Sequence, residues 1–205
     1  ILDTQDTSNP CVLTFPDGTK YTGTMKNGEI TGEGEYTFSN GAKYEGQVLN
    51  GLRHGKGIYK TPDNIIYDGE FAFGKCDGFG RYNIDKGQYY EGAFKDGFMD
   101  GEGKIIKENK LEYEGGFKFN EYNGEGTLHY EDGTYYIGQF SNGVRHGNGI
   151  LLDENNNIIY KGEFKLDEYD GEGEYYRDDG SHYIGQFQKG VENGIGKIYG
   201  KNNTI

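Results

Sequence analysis

The chain has 205 residues, 37 of them Gly and 19 Tyr, and a net charge of −13. That charge argues against nucleic acid as a partner and disfavours anionic membrane lipid, because both are read mainly by Lys and Arg. Two cysteines, Cys11 and Cys76, are too few for a disulfide framework and fit a reduced, intracellular protein, and no apolar run approaches the roughly 18 residues of a membrane-spanning helix.

Residues 1–10 fit no pattern and read as an irregular lead-in. Residues 11–18 (CVLTFPDG) align with residues 34–41 (GEYTFSNG), so 11–20 reads as the second half of a repeat whose first half is absent. A start in mid-repeat, at Ile1 and not Met, is what a fragment of a longer array would show. From there one unit recurs to residue 205. A Tyr-x-Gly anchor stands at Tyr21, Tyr44, Tyr67, Tyr90, Tyr113, Tyr136, Tyr160 and Tyr183, at intervals of 23, 23, 23, 23, 23, 24 and 23 residues. A Gly-x-Gly anchor begins eleven residues after each, at Gly32, Gly55, Gly78, Gly101, Gly124, Gly147, Gly171 and Gly194. Two anchors held in register over eight units define a repeat array across 11–205.

Each unit reads as a β-hairpin. The first strand is Tyr-x-Gly-x-apolar, as in Tyr90-Glu91-Gly92-Ala93-Phe94, and alternation puts the Tyr, the Gly and the apolar residue on one face. The second is Gly-x-Gly-x-apolar. Seven residues after each anchor Tyr stands Gly, replaced only by Asn120 and Asp167, which predicts a positive-φ turn there. Between units, pairs such as Asp17-Gly18, Asn40-Gly41 and Asp132-Gly133 read as two-residue hairpin turns. The one 24-residue interval places its extra residue near Asp153–Asn157, where a turn would absorb it. The paired glycines are expected to leave room for a ring from the neighbouring hairpin. The fold class predicted is all-β: an elongated, single-sheet array of consecutive antiparallel hairpins.

Little in the chain suggests chemistry. Gly-x-Gly recurs inside strands and lacks the strand-to-helix setting of a phosphate loop. His54 and His146 fill a place that elsewhere holds Thr, Asp or Asn, which suits a polar hydrogen-bonder near a turn. His54 and Cys76 come from adjacent repeats, but two ligands do not complete a tetrahedral zinc site, and a symmetric dimer would have to supply two more. The reading is therefore no enzyme, no cofactor and no metal. Candidate contacts are aromatic instead. Tyr67, Phe71, Tyr90, Phe94, Tyr113 and Phe117, flanked by Tyr44 and Tyr136, would floor a groove with an acidic rim, suited to a peptide segment with aliphatic anchors and basic flanks. Phe73, Phe79, Phe98 and Met99 cluster where other repeats are polar and form a second candidate patch, for a partner or for self-association.

The stretch Tyr-Glu-Gly-Gln followed by Asn-Gly-Leu-Arg-His-Gly-Lys-Gly-Ile-Tyr at 44–59, and Ser-Asn-Gly-Val-Arg-His-Gly-Asn-Gly at 141–149, resemble the MORN (membrane occupation and recognition nexus) repeat. The family often has Trp at the apolar place of the first strand; this chain has no Trp and uses Phe, Val and Met. The resemblance implies a continuous sheet of hairpins curled into a groove, and no intrinsic catalysis. It also implies roles as a cytoskeletal or ciliary scaffold, self-association, peptide binding, or service beside a catalytic domain. The reading is a cytoplasmic scaffold that binds protein, including a second copy as a homodimer. Association with cytoskeleton or membrane is a further expectation. A phospholipid-binding tether and an accessory domain of a larger enzyme are the alternatives.

Overall fold

The structure is a computed structural model that describes residues 10–201, so the lead-in expected over 1–10 lies outside it except for Pro10. The chain forms two compact units, Ile1–Gly101 with Ile106–Asn109, and Glu102–Ile105 with Lys110–Ile205. Unit one carries β1 (Cys11–Thr14), β2 (Lys20–Lys26), β3 (Glu29–Thr37), β4 (Lys43–Leu49), β5 (Leu52–Lys60), β6 (Ile66–Ala72), β7 (Lys75–Asp85) and β8 (Gln88–Lys95). β9 (Phe98–Lys107) has residues in both units. Unit two carries β10 (Lys110–Lys118), β11 (Glu121–His129), β12 (Tyr135–Ser141), β13 (Val144–Leu152), β14 (Ile158–Lys165), β15 (Glu168–Tyr176), β16 (His182–Gln188) and β17 (Val191–Tyr199). Within each unit every strand pairs antiparallel with its sequence neighbours in one open layer. The described residues contain no helix, and so none long and apolar enough to cross a membrane. The all-β class and the hairpin built from each repeat are as the periodicity predicts.

The repeat at Tyr136 shows how the hairpin is held. Gly138 on β12 faces Gly149 on β13. The Tyr136 ring lies across this pair: a Cβ on Gly149 would stand 2.2 Å from the ring's Cε2, and one on Gly138 2.4 Å from its Oη. Tyr21, Tyr44, Tyr67, Tyr113, Tyr160 and Tyr183 lie over their own glycine pairs in the same way. This corrects the expected arrangement. The ring comes from the same repeat and not from the neighbouring hairpin, and only the second glycine of Gly-x-Gly lies beneath it. The first has another task. Between the pairs Gly138–Gly149 and Phe140–Arg145, the single residue Gln139 faces three on β13. That bulge turns the backbone left-handed at Gly147 (φ 69°), where a Cβ would meet the Gln139 Oε1 at 2.0 Å.

The hairpin tips are left-handed at both central residues, from Asn27 (φ 53°) and Gly28 (φ 84°) to Lys189 (φ 51°) and Gly190 (φ 80°), the mirror-image turn that matches strand twist. The tips at Gly51, Gly74, Gly97, Gly143, Asp167 and Gly190 are each tied to the repeat before by a backbone bond, as Gly74 N–H donates to the Arg53 carbonyl at 2.9 Å. The connections between repeats differ from expectation. Most are three-residue loops, not two-residue turns. Tyr130 N–H bonds the Thr134 carbonyl at 2.9 Å, Gly133 N–H returns to the Tyr130 carbonyl at 3.1 Å, and Asp132 Oδ1 accepts from the Thr134 N–H at 2.9 Å. An acceptor side chain in the loop lets one positive-φ residue close it, so the second is not needed. Lys86-Gly87 is a true two-residue turn. The extra residue of the long interval is not in the 153–157 loop, which has the ordinary length. Leu151 pairs with Tyr160 and Leu152 with Ile158, so Ile159 is absorbed as a β-bulge.

Two stability tests follow from this packing. Gly149→Val should cost about 3 kcal/mol by chemical denaturation, because the Tyr136 ring leaves no room, whereas Asn148→Ala should stay within about 0.5 kcal/mol. Equal losses would remove the ring-over-glycine account. Leu166 is 70% exposed and holds φ 52°, a conformation that costs a bulky side chain about 1 kcal/mol or more. Leu166→Asn, the residue at the matching place Asn142, should therefore raise the melting temperature of unit two.

Candidate functional site

The anchor tyrosines and the apolar residues four positions later form one aromatic ladder per unit. Every anchor hydroxyl donates to the backbone carbonyl three residues on: Tyr44 to Gln47 at 2.6 Å, Tyr67 to Glu70 at 2.8 Å, Tyr136 to Gln139 at 3.0 Å. This is the carbonyl that the bulge removes from the strand ladder, so the hydroxyl satisfies a group that would otherwise be stranded. Phe71, Phe94, Phe140, Phe164 and Phe187 each bridge two tyrosines edge-on. Phe71 is 5.1 Å from Tyr44 and 5.0 Å from Tyr67, and Phe164 is 4.9 Å from Tyr136 and 5.1 Å from Tyr160. Such pairs contribute about 0.5–1.5 kcal/mol each beyond the area they bury.

A third row, nine residues after each anchor, covers this ladder. Tyr122 stacks on Tyr113 at 3.7 Å and Tyr169 on Tyr160 at 3.8 Å. Arg53 lies 4.8 Å from the Tyr59 ring and 5.3 Å from Phe71; Arg145 lies 5.7 Å from Tyr136 and 5.1 Å from Phe164. Arg145 is fixed from outside by Asp167, whose Oδ1 accepts from its Nε at 3.1 Å. Sequence reasoning missed this row. Its signal was the Arg that precedes His54 and His146 in the same register. The same holds for Gln47 and Gln139, whose Oε1 atoms accept the bulge N–H of Lys56 and Asn148, each at 3.1 Å.

The residues named from sequence separate into two groups. Tyr67, Phe71, Tyr90, Phe94, Tyr113 and Phe117 are all buried, and they pack on one another within each unit as Tyr67–Phe71, Tyr67–Phe94, Tyr90–Phe94 and Tyr113–Phe117. Phe73, Phe79 and Phe98 are exposed and Met99 half-buried. Phe73 and Phe98 belong to successive hairpin tips of unit one. Phe79, between two glycines, points to the opposite side of the sheet from the ladder, beside Ala93. The Phe73 tip rests on the start of β5, where a Cβ on Gly74 would lie 3.9 Å from Leu52 Cδ2, and the His54 ring meets Phe73 edge-on at 5.8 Å. His54 thus packs on a ring. Cys76 faces Phe71, and burial pushes its thiol up to about 11. Among the described residues no group of three His, Cys, Asp or Glu is placed to hold a metal. In unit two the aromatic face has a depression of about 420 Å³ lined by Ile159, Tyr169, Tyr175, Phe187, Val191 and Glu192.

The profile of the MORN repeat matches residues 21–43, 44–65, 67–89, 90–110, 113–135, 136–158, 160–182 and 183–205. The chain belongs to the MORN-repeat family. A comparison with curated proteins returns no match. MORN repeats are in general non-catalytic interaction modules, and here the residues that define the MORN pattern are those that build the hairpin: the anchor Tyr, the glycine beneath its ring and the glycine of the bulge.

Burial raises the Tyr36, Tyr44 and Tyr122 hydroxyls from an ordinary 10 to about 12, and Tyr67, Tyr113, Tyr136 and Tyr160 are pushed higher still for the same reason. The folded state therefore holds protons that the unfolded chain releases above its own value near 10. Stability from this source is fully present below pH 10 and is lost as pH rises through 10 to 12 and beyond. Thermal melts should shift little between pH 7 and 9 and fall steeply above 10. A melting temperature unchanged to pH 12 would contradict the buried, protonated hydroxyls.

Proposed function

We propose that the chain is a non-enzymatic scaffold that binds protein, a second copy of itself included. The observation that carries this is the division of labour within each MORN repeat. The recurring residues are spent on the hairpin, and what varies from repeat to repeat is the exposed surface. In unit one that surface carries exposed apolar groups at places that other repeats fill with polar residues. Phe73 is 75% exposed in a left-handed turn residue (φ 48°), beside Leu52 and one repeat from Phe98. A strained aromatic whose one ring contact among the described residues is an edge from His54 and which stays mostly exposed favours a role in contact with a partner.

The occupant that suits this patch is another copy. The charges beside it are matched among themselves, Lys75 with Asp96 at 3.0 Å and Lys95 with Asp77 at 3.4 Å. Two such patches can meet without opposing net charge, although the chain as a whole is strongly acidic. The setting we infer is the cytoplasm, in an assembly of the cytoskeletal or ciliary kind, where a rigid repeated surface positions partners.

Sedimentation at high protein concentration tests the self-association. The chain should sediment as a dimer, and Phe73→Asp, which also suits a left-handed turn, should return it to monomer while keeping its circular dichroism. A monomer at all concentrations, or a dimer unmoved by the substitution, would count against this patch.

A further inference from the structure

The sheet face opposite the aromatic ladder has no structural reason to be apolar, and the repeats allow that to be checked position by position. One residue after each anchor, unit one has Thr22, Glu45, Asp68 and Glu91. Unit two has Glu114, Ile137, Lys161 and Ile184. The same hairpin thus forms with polar residues at these places, so the isoleucines are not required by the fold. Ile137 is 45% and Ile184 42% exposed. Ile137 pairs across the strands with Ile150, which pairs with Lys161, then Glu174, then Ile184, making one row across β12 to β16.

Two further rows flank it. On one side are aromatic and aliphatic groups: His129 stacks on Tyr135 at 5.5 Å, Tyr135 pairs with Leu152, and His182 stacks between Tyr176 at 5.3 Å and Tyr199 at 5.0 Å. On the other side are carboxylates and amides: Glu125 opposite Gln139, Asn148 opposite Glu163, and Glu172 opposite Gln186. A groove of about 600 Å³ between them is lined by Glu125, Asn148, Ile150, Lys161, Glu172 and Ile184. Across the strands the surface runs from rings and aliphatic groups, through a row of isoleucines interrupted by Lys161 and Glu174, to carboxylates and amides.

We propose that this outer face of unit two docks an amphipathic helix whose apolar stripe is flanked on one side by Lys or Arg. The inference rests on the reading of the chain as a protein-binding array and adds the surface and the partner's chemistry. A helix lying across the strands repeats every ~5.4 Å, close to the ~4.8 Å between strands, so one side chain per turn meets each strand in succession. From β11 to β16 is about 24 Å, the length of a helix of about 16 residues. Ile137, Ile150 and Ile184 receive its stripe, with Lys161 and Glu174 opposite each other between them, and the row of Glu125, Glu163 and Glu172 receives its basic flank. A second copy is the poorer occupant here, because two copies would set these carboxylates against each other.

The test uses the 205-residue chain and a fluorescent 18-residue peptide with leucines along one helical stripe and lysines along one flank, read by anisotropy. Saturable binding is expected. Ile137→Ser with Ile184→Ser should weaken it at least tenfold, and Glu125→Gln with Glu172→Gln about as much at low salt. Ile58→Ser, at an exposed isoleucine on the same side of unit one, should leave it within twofold. A peptide with glutamates in place of the lysines should bind at least tenfold more weakly. Melting curves confirm that each variant is folded. No binding, equal binding by the double isoleucine variant, or an equal loss in Ile58→Ser would overturn the proposal, as would a dimer abolished by the double isoleucine variant. Using the parent chain and the double isoleucine variant as bait in one cell extract separates this failure from a wider one. Proteins held equally by both remove this surface and leave the interaction reading intact; proteins held by neither remove both.

Discussion

The hairpins within each unit depend on one contact: a tyrosine ring laid flat across two glycines that face each other on adjacent strands. No residue with a Cβ fits beneath it, since the ring carbon and the opposite backbone both come within about 2.5 Å of where that atom would be, as at Gly149 and Gly138. The hydroxyl at the far end of the same ring then bonds the carbonyl that the β-bulge leaves without a ladder partner, as Tyr136 does at Gln139. One side chain thereby buries its own apolar area, shields a stretch of bare backbone and satisfies a stranded acceptor. The bulge, the left-handed Gly147 and the Gln139 side chain that caps Asn148 are all arranged around it.

That contact also explains how a single layer makes a core. A sheet with one face uncovered normally needs a second layer. Here the tyrosines lie down on the sheet, and the phenylalanines stand edge-on between tyrosines of successive repeats. Arg53, Tyr122, Arg145 and Tyr169 close the top. The core is a thin strip running through each unit, assembled from nearest-neighbour contacts, in keeping with stability that is a sum over repeats. Because most of the strip is buried internally, the larger exposed surfaces are the hairpin tips and the opposite face. Both vary between repeats, and variation against a constant scaffold is what makes the outer face of unit two stand out from its counterpart in unit one.

Much of the fold was legible because backbone requirements repeat. Eight anchors at a fixed interval announce one hairpin per unit, and Gly, Asn or Asp at the seventh place announces a left-handed turn. Periodicity could not say which ring covers which glycine. Tyr21 lies equally close in sequence to several candidates, and only the pairing of Gly23 with Gly34 puts its own hairpin beneath it. Nor could it place Ile159: an added residue is absorbed by a turn or by a bulge with the same effect on spacing, and the choice was made where Tyr160 had to stay over its own glycine pair.

The sequence by itself determined the all-β class, the number of units and the side of each strand that is aromatic, because these follow from spacing and from where a Cβ is tolerated. The tertiary structure decided which of those aromatics remain available. Tyr67, Phe71, Tyr90, Phe94, Tyr113 and Phe117 look like a binding floor when each repeat is considered alone. They are buried once the strands assemble, as when Phe94 meets Tyr67 and Phe140 meets Tyr113, contacts between residues of neighbouring repeats. Exposure is a property of the assembled layer, and so the free apolar groups, Phe73 at a tip and Ile137 and Ile184 on the outer face, are recognised only when the strands are in place.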